Sequence, residues 1–190
     1  LINKEIVALI NSHGGKAVGL SGKDGWLIKA KKKVIKKAAE SGEEEMIDIG
    51  LVGEVESVNP EILNCLEDDG FIPVITPIGV GSKGEAFNIN ADYVASAVAS
   101  ALKAEKLILL TDVPGIKDKG DNVISSVHKK DVKKLIDDGT VSGGMIPKVQ
   151  ACTCALDGGV KKTHIVDGRI PHCLLLEIFT KEGIGTEIVG

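Results

Sequence analysis

The residue with the most to say about chemistry is Lys148. It follows Ser142-Gly143-Gly144-Met145-Ile146-Pro147. Two glycines give the backbone room to turn, and Pro147 fits only the first turn of the helix it enters. A lysine in that first turn opposes the helix dipole by about 0.3–1 kcal/mol. Bare first-turn amides, flexible glycines and a cation at one place suit an anion such as phosphate. The alternative is a solvated surface lysine.

A second set of polar residues lies upstream. Asn88-Ile89-Asn90-Ala91-Asp92 leads into Tyr93 to Leu102, where Val94, Val98, Ala101 and Leu102 recur at helical spacing. Asn90 is placed to cap that helix, with Asp92 in its first turn. Lys106-Leu107-Ile108-Leu109-Leu110 then reads as a buried parallel strand, and Thr111-Asp112-Val113-Pro114-Gly115 as the turn that ends it. A polar helix start close to the carboxyl end of a strand is where open α/β sheets keep ligands. The alternative is that Asn90 and Asp92 only cap the helix and favour its dipole.

The elements that must position these residues alternate along the chain. Helices are expected over residues 3–12, 61–67, 93–102, 129–138, 149–156 and 174–179. Strands are expected over 16–20, 26–34, 46–58, 71–75, 106–110, 123–127, 163–166 and 186–189. Pro60 suits the first turn of its helix. The Lys31-Lys32-Lys33 and Glu43-Glu44-Glu45 runs read as solvated faces and a hairpin or loop tip. Ser21-Gly22-Lys23-Asp24-Gly25 contains Gly-Lys but lacks the Walker spacing, so it reads as a strand-end turn. The alternation predicts an α/β three-layer sandwich around a mainly parallel sheet.

With 190 residues, 43% of them hydrophobic and 26% charged, the chain has the composition of a globular protein with one substantial core. A net charge of −4 argues against a general nucleic-acid binder. No apolar run reaches the length of a membrane span and no signal peptide is read, so a cytoplasmic location without membrane partners is expected. Cys65, Cys152, Cys154 and Cys173 lack metal-ligand spacing and read as buried, reduced thiols. No protein-held metal is predicted.

Five ordered motifs carry a resemblance. Asn88-Ile89-Asn90-Ala91-Asp92, Leu110-Thr111-Asp112-Val113-Pro114-Gly115 and Ser142-Gly143-Gly144-Met145-Ile146-Pro147-Lys148 resemble the acetylglutamate kinases, the arginine-biosynthesis branch of the amino-acid kinase family. Residues 17–25 and Leu174-Leu175-Leu176-Glu177-Ile178-Phe179-Thr180 are similar to the same enzymes. The resemblance runs the length of the chain and implies the amino-acid kinase fold. It also implies ATP-dependent phosphorylation of the side-chain carboxylate of N-acetyl-L-glutamate, with Mg²⁺ bridging the ATP phosphates. Other acceptors in the wider family include aspartate, carbamate and nucleoside monophosphates.

By matching positions, the resemblance makes Asn88 an acetylglutamate-binding residue and Asn90 a supporting one. Asp92 becomes the organiser of the catalytic lysines, and Lys148 the lysine that stabilises the transition state. Thr111, Asp112 and Gly115 fall in the turn that lines the nucleotide site, with Lys148 also at the phosphates. Lys148 and Asp92 are then expected around one terminal phosphate. His164, Glu177 and Gly183 match positions that bind effector arginine in the inhibited members. Glu177, among apolar neighbours, is expected to be partly buried and in want of a cation.

The family opens with a strand and a lysine-glycine-glycine phosphate loop, then a second Gly-rich loop and an arginine that hold acetylglutamate. None is in these residues, and Leu1 stands where a helix is already under way. A kinase fragment lacking its amino-terminal portion is therefore expected, residues 1–85 belonging to an acceptor-binding lobe and 86–190 to a nucleotide-binding lobe. A non-catalytic nucleotide- or arginine-binding module is the alternative. The resemblance also implies a homo-oligomer, dimeric or hexameric, a PII signalling protein as partner, and organellar stroma as the location in a plastid-bearing source.

Overall fold

The structure, a computed structural model, describes residues 1–38, 44–180 and 183–190, and for residues 36–38, 44 and 45 the backbone alone. The chain divides into two compact units, Leu1–Val94 and Ala95–Gly190.

The first unit opens with α1 (Ile2–Ser12), β1 (Ala17–Ser21) and a short 3-10 turn at Asp24–Trp26. The strand β1 pairs in parallel with β4 (Ile72–Thr76), from Ala17 opposite Ile72 to Ser21 opposite Thr76. Asparagines tie α1 to this pair. Asn3 Nδ2 donates to the Val74 carbonyl at 2.8 Å, and Asn11 Oδ1 accepts from the Ala17 N–H at 2.6 Å. No side chain of α1 is fully buried, Val7 and Ile10 being half-buried, so these polar contacts add to a partial packing of the helix.

A hairpin of β2 (Ile28–Ala38) and β3 (Glu44–Val58) joins β5 (Ile78–Val80) and β6 (Ala86–Asn88) in a closed four-stranded barrel, ordered β2-β3-β6-β5. Leu27, Ile28, Ala30, Val80, Phe87 and Ile89 are buried in this unit. Each large apolar side chain fully buried contributes about 1.5–3 kcal/mol. The lysine run lies on a largely exposed face of the β2–β3 hairpin, as expected, where Asp48 and Glu54 of β3 face it. Lys32 Nζ is 2.6 Å from Asp48 Oδ2, and Lys31 and Lys33 are 3.9 and 3.7 Å from the Glu54 carboxylate. Glu43 lies outside the described residues. The helix α2 (Glu61–Asp68) buries Leu63 and takes Pro60 as its N-cap residue, one position earlier than expected.

The helix α3 (Ala91–Ala101) carries the chain from the first unit to the second. The second unit holds a four-stranded sheet ordered β7-β9-β10-β8, from β7 (Lys106–Thr111), β8 (Ser126–His128), β9 (Lys162–Asp167) and β10 (Thr186–Val189). β7 runs parallel to β9, and β8 parallel to β10. β10 is antiparallel to β9, so the sheet is mixed. Its side chains obey the same two-residue alternation in either direction, which leaves direction unstated in the sequence.

The helices α4 (Lys129–Asp137), α5 (Met145–Asp157) and α6 (Cys173–Phe179) pack on this sheet, α5 against β7, β9 and β10 and α6 against β9. Val149, Ala151, Cys152 and Ala155 of α5 and Ile165, Val166 and Ile188 of the strands are fully buried. The four cysteines are free thiols, but only Cys152 and Cys173 are buried; Cys65 and Cys154 are exposed. The strand expected over 123–127 is confined to Ser126–His128, with Val123 bridging Lys117 instead. Among the described residues, no helix is long and apolar enough to cross a membrane.

Candidate functional site

In the second unit, register places the site. Leu110 stands opposite Val166 and Thr111 opposite Asp167, so the parallel strands β7 and β9 end side by side. Such paired carboxyl ends leave a crevice where the chain turns away from the sheet. On β7 the chain turns through Thr111 to Gly115, and the Gly168 N–H donates back to the Thr111 carbonyl at 2.8 Å. Gly115 has φ of 141°, and a Cβ there would lie 2.6 Å from Thr186 Oγ1. Thr186 Oγ1 accepts from the Ile116 N–H at 2.8 Å and donates to the Ile124 carbonyl at 2.7 Å. Glycine is required because the turn must pass directly over that buried hydroxyl.

The turn forms one wall of a pocket of about 420 Å³, lined by Asp112, Pro114, Gly115, Ser142, Met145 and Arg169 among others. The opposite wall is the start of α5, whose N-cap residue is Gly144. Its first amides are not bare. The Met145 and Ile146 N–H groups donate to the carbonyls of Ser142 and Gly143 at 3.1 and 3.2 Å, and Pro147 has no N–H to offer. Lys148 follows, half-buried. Any anion held here would therefore depend more on the lysine charge than on amides.

Asp112 and Gly115, expected to contact nucleotide, line this pocket; Thr111 and Lys148 are not among its lining residues. Asn88, Asn90 and Asp92 belong to the first unit. Asn88 is exposed at the end of β6, opposite Val52 of β3 and Ile78 of β5. Asn90 is the N-cap expected of it, its Oδ1 accepting from the N–H groups of Asp92 at 2.9 Å and Tyr93 at 3.4 Å.

Asp167 and Arg169 are the pair that the sequence did not single out. Asp167 is the last residue of β9 and is 6% exposed. Its carboxylate accepts from Arg169 Nε at 2.9 Å, from Arg169 Nη2 at 2.8 Å and from the Arg169 N–H at 3.0 Å. The guanidinium bonds first, and the N–H second, hold the Asp167 carboxyl at about 2, below its ordinary 3.8. A depressed carboxyl stabilises the fold above its ordinary value and loses that contribution as pH falls through its folded value. The pair is thus expected to stay closed in the folded chain until pH falls through about 2, its contribution to stability fading as pH falls from 3.8 towards 2. Carboxyl NMR titration checks this: Arg169→Ala should return the Asp167 midpoint towards 3.8, and an unmoved midpoint would contradict it.

A second pocket, of about 520 Å³, brings His164, Glu177 and Gly183 together with Lys106, Lys162 and Glu187. Glu177 is buried but does not lack a partner. His164 Nδ1 lies 2.6 Å from its Oε1, and the Ile184 N–H donates to its Oε2 at 2.8 Å. His164 Nε2 is buried without a hydrogen-bond partner among the described residues. Lys162 Nζ pairs with Glu187 Oε1 at 2.7 Å, which raises the lysine pKa above its ordinary value. The two walls thus offer acidic and basic groups within one cavity.

Comparison with known proteins adds to this geometry. Residues 1–167 match the family model described as the amino acid kinase family. An acetylglutamate kinase of Geotalea daltonii is 63% identical over 187 residues, covering 98% of this chain and 64% of the relative. One from a Sulfurihydrogenibium species is 56% identical, covering 99% of this chain and 65% of the relative. The chain therefore spans just under two-thirds of the length of the curated relatives it matches. Among solved structures, the N-acetylglutamate synthase of Neisseria gonorrhoeae with coenzyme A and N-acetyl-glutamate superposes with a TM-score of 0.79 at 23% identity, over 99% of this chain and 43% of that one. The carbamate kinase of Giardia lamblia bound to AMP-PNP gives 0.65 at 15%, over 98% and 70%. These two likenesses speak for the fold.

Proposed function

This chain belongs to the amino acid kinase family, and we propose that its activity is ATP-dependent phosphorylation of the side-chain carboxylate of N-acetyl-L-glutamate, giving N-acetylglutamyl 5-phosphate in arginine biosynthesis. The observation that carries this reading is identity of 54% to 63% with acetylglutamate kinases over nearly the whole chain. Relatives with other acceptors share its fold at 15% to 16% identity.

The chemistry fits the residues. A side-chain carboxylate has an ordinary pKa of about 4.3 and is already ionised near neutral pH. No general base is needed, so Asp92 positions rather than deprotonates. Transfer then rests on alignment and on neutralising charge at the moving phosphoryl group. MgATP enters as substrate, and Lys148 supplies positive charge to its phosphates. Thr111, Asp112 and Gly115 belong to the nucleotide-binding lobe, assigned to residues 86–190. Asn88 binds the acceptor and Asn90 supports it, both just past the acceptor lobe, residues 1–85.

The second pocket supports arginine as an effector. Glu177 and Glu187 offer acceptors to a guanidinium or ammonium group, and Lys106 and Lys162 offer charge to a carboxylate. His164 Nε2, when the other nitrogen carries the proton, is a further acceptor. A cytoplasmic homo-oligomer, dimeric or hexameric, and a PII partner belong to the same proposal.

The test is ADP release by the full-length product of the gene that encodes this chain. Turnover with N-acetyl-L-glutamate, and not with aspartate, carbamate or a nucleoside monophosphate, is expected. Turnover with another acceptor would overturn the substrate. ATP or arginine binding by calorimetry, with no turnover on any acceptor, would favour the alternative of a non-catalytic binding module.

A further inference from the structure

The Asp167–Arg169 fork has no part in the chemistry above, yet it is built with more care than an exposed arginine needs. The Arg169 side chain is 66% exposed, while the carboxylate that holds it is 8% exposed. An ordinary surface ion pair loses most of its value to side-chain entropy and solvent. Here three donors converge on one buried carboxylate, so the guanidinium is held in a single plane. Nε and one Nη2 hydrogen are committed, which leaves Nη1, the other Nη2 hydrogen and the flat faces of the group. Arg169 lines the 420 Å³ pocket together with Asp112 and Gly115.

Charge decides what such a wall can accept. Asp167 cancels the arginine, and Asp112 acts on Arg169 as a further negative charge. A phosphate at this wall would meet two carboxylates and one guanidinium already committed to one of them. The phosphates of a nucleotide belong instead towards the Ser142–Lys148 segment, where no carboxylate occurs. A guanidinium is weakly hydrated and planar, and it stacks on π-faces. A base is left for the Arg169 end.

We propose that Arg169, fixed in plane by Asp167, is the platform on which the purine ring of the nucleotide stacks. This rests on the nucleotide reading of the same pocket and adds the residue that selects the base. Asp167 is then a positioning residue, acting only through the plane it imposes on the guanidinium.

The experiment is calorimetry on the full-length product of the gene that encodes this chain, with ATP, CTP and inorganic tripolyphosphate. Arg169→Ala should weaken ATP roughly 5- to 30-fold, the range of arginine–base stacking. CTP should lose less, because its single ring offers less area, and tripolyphosphate should stay within about twofold. Arg169→Lys keeps the charge and removes the plane, so it should behave like Arg169→Ala. Asp167→Asn should give an intermediate loss for ATP and none for tripolyphosphate. Parallel loss of ATP and tripolyphosphate, or full ATP affinity in Arg169→Lys, would show a phosphate-binding cation and overturn the stack. ATP affinity unchanged in Arg169→Ala would overturn it as well. Failure of the unsubstituted chain to bind ATP would instead remove the nucleotide reading, and the platform with it.

Discussion

Lys148→Ala is expected to lower the rate of phosphoryl transfer by about 10²- to 10³-fold, the usual cost of removing one group aimed at developing transition-state charge. Loss should fall on kcat more than on KM for ATP, because the ammonium counts for most where charge is spread across the moving phosphoryl group. Lys148→Arg should recover only part of the rate, since a guanidinium fork spreads its charge over a wider plane than an ammonium. The first-turn amides of α5 sharpen this expectation. Met145 and Ile146 N–H groups are already bonded to Ser142 and Gly143 carbonyls, so little remains at that helix start to take over the role. The check is ADP release by the full-length protein with MgATP varied at saturating N-acetyl-L-glutamate, read as both kcat and KM. An unchanged kcat would remove Lys148 from the mechanism.

Gly185→Ala is expected to destabilise the second unit by about 2–3 kcal/mol, at the upper end of overpacking costs. A Cβ at this position would lie 2.2 Å from the Ile165 carbonyl oxygen and 3.1 Å from the Val166 Cα. Both are backbone atoms of β9, and neither can rotate out of the way. Relief requires β10 to move off β9 just where Thr186 begins their antiparallel pairing with Ile165. The same displacement would pull Thr186 Oγ1 from the Ile116 N–H, so nucleotide affinity should fall alongside the urea midpoint. A midpoint within error of the unsubstituted chain would show that the strands can separate there at no cost.

The sequence made some of this plain. Leu107 to Leu110 reads as a buried parallel strand, and β7 is parallel, with Leu107 and Leu109 buried but Leu110 exposed. Asn90 reads as a cap, and its side chain caps α3. Both are local properties, set by a few neighbouring residues. The second pocket was legible only through motif positions, because His164 and Glu177 lie 13 residues apart and meet by the docking of α6 on β9. Glu177 therefore looked short of a cation when its partner was a strand away. The strand expected over 163–166 stops just short of Asp167. Nothing in Asp167-Gly168-Arg169 says that the acid stays buried while the arginine folds back on it. The lysines of β2 read as a solvated face, and their pairing stayed hidden for a related reason: the acids that meet them arrive from β3.

The place of β10 has a consequence for biosynthesis. Thr186–Val189 follows both β8 and β9 in the chain, yet it lies in the interior of its sheet, between them. Until it inserts, those two neighbours present open hydrogen-bonding rims to solvent, and Ile165 and Ile188 have no common interior to share. The nascent unit must wait, half-assembled, for this strand. Ribosome-bound chains halted before Thr186 should for that reason be cut readily by protease, and those extended past Val189 and clear of the exit tunnel should resist.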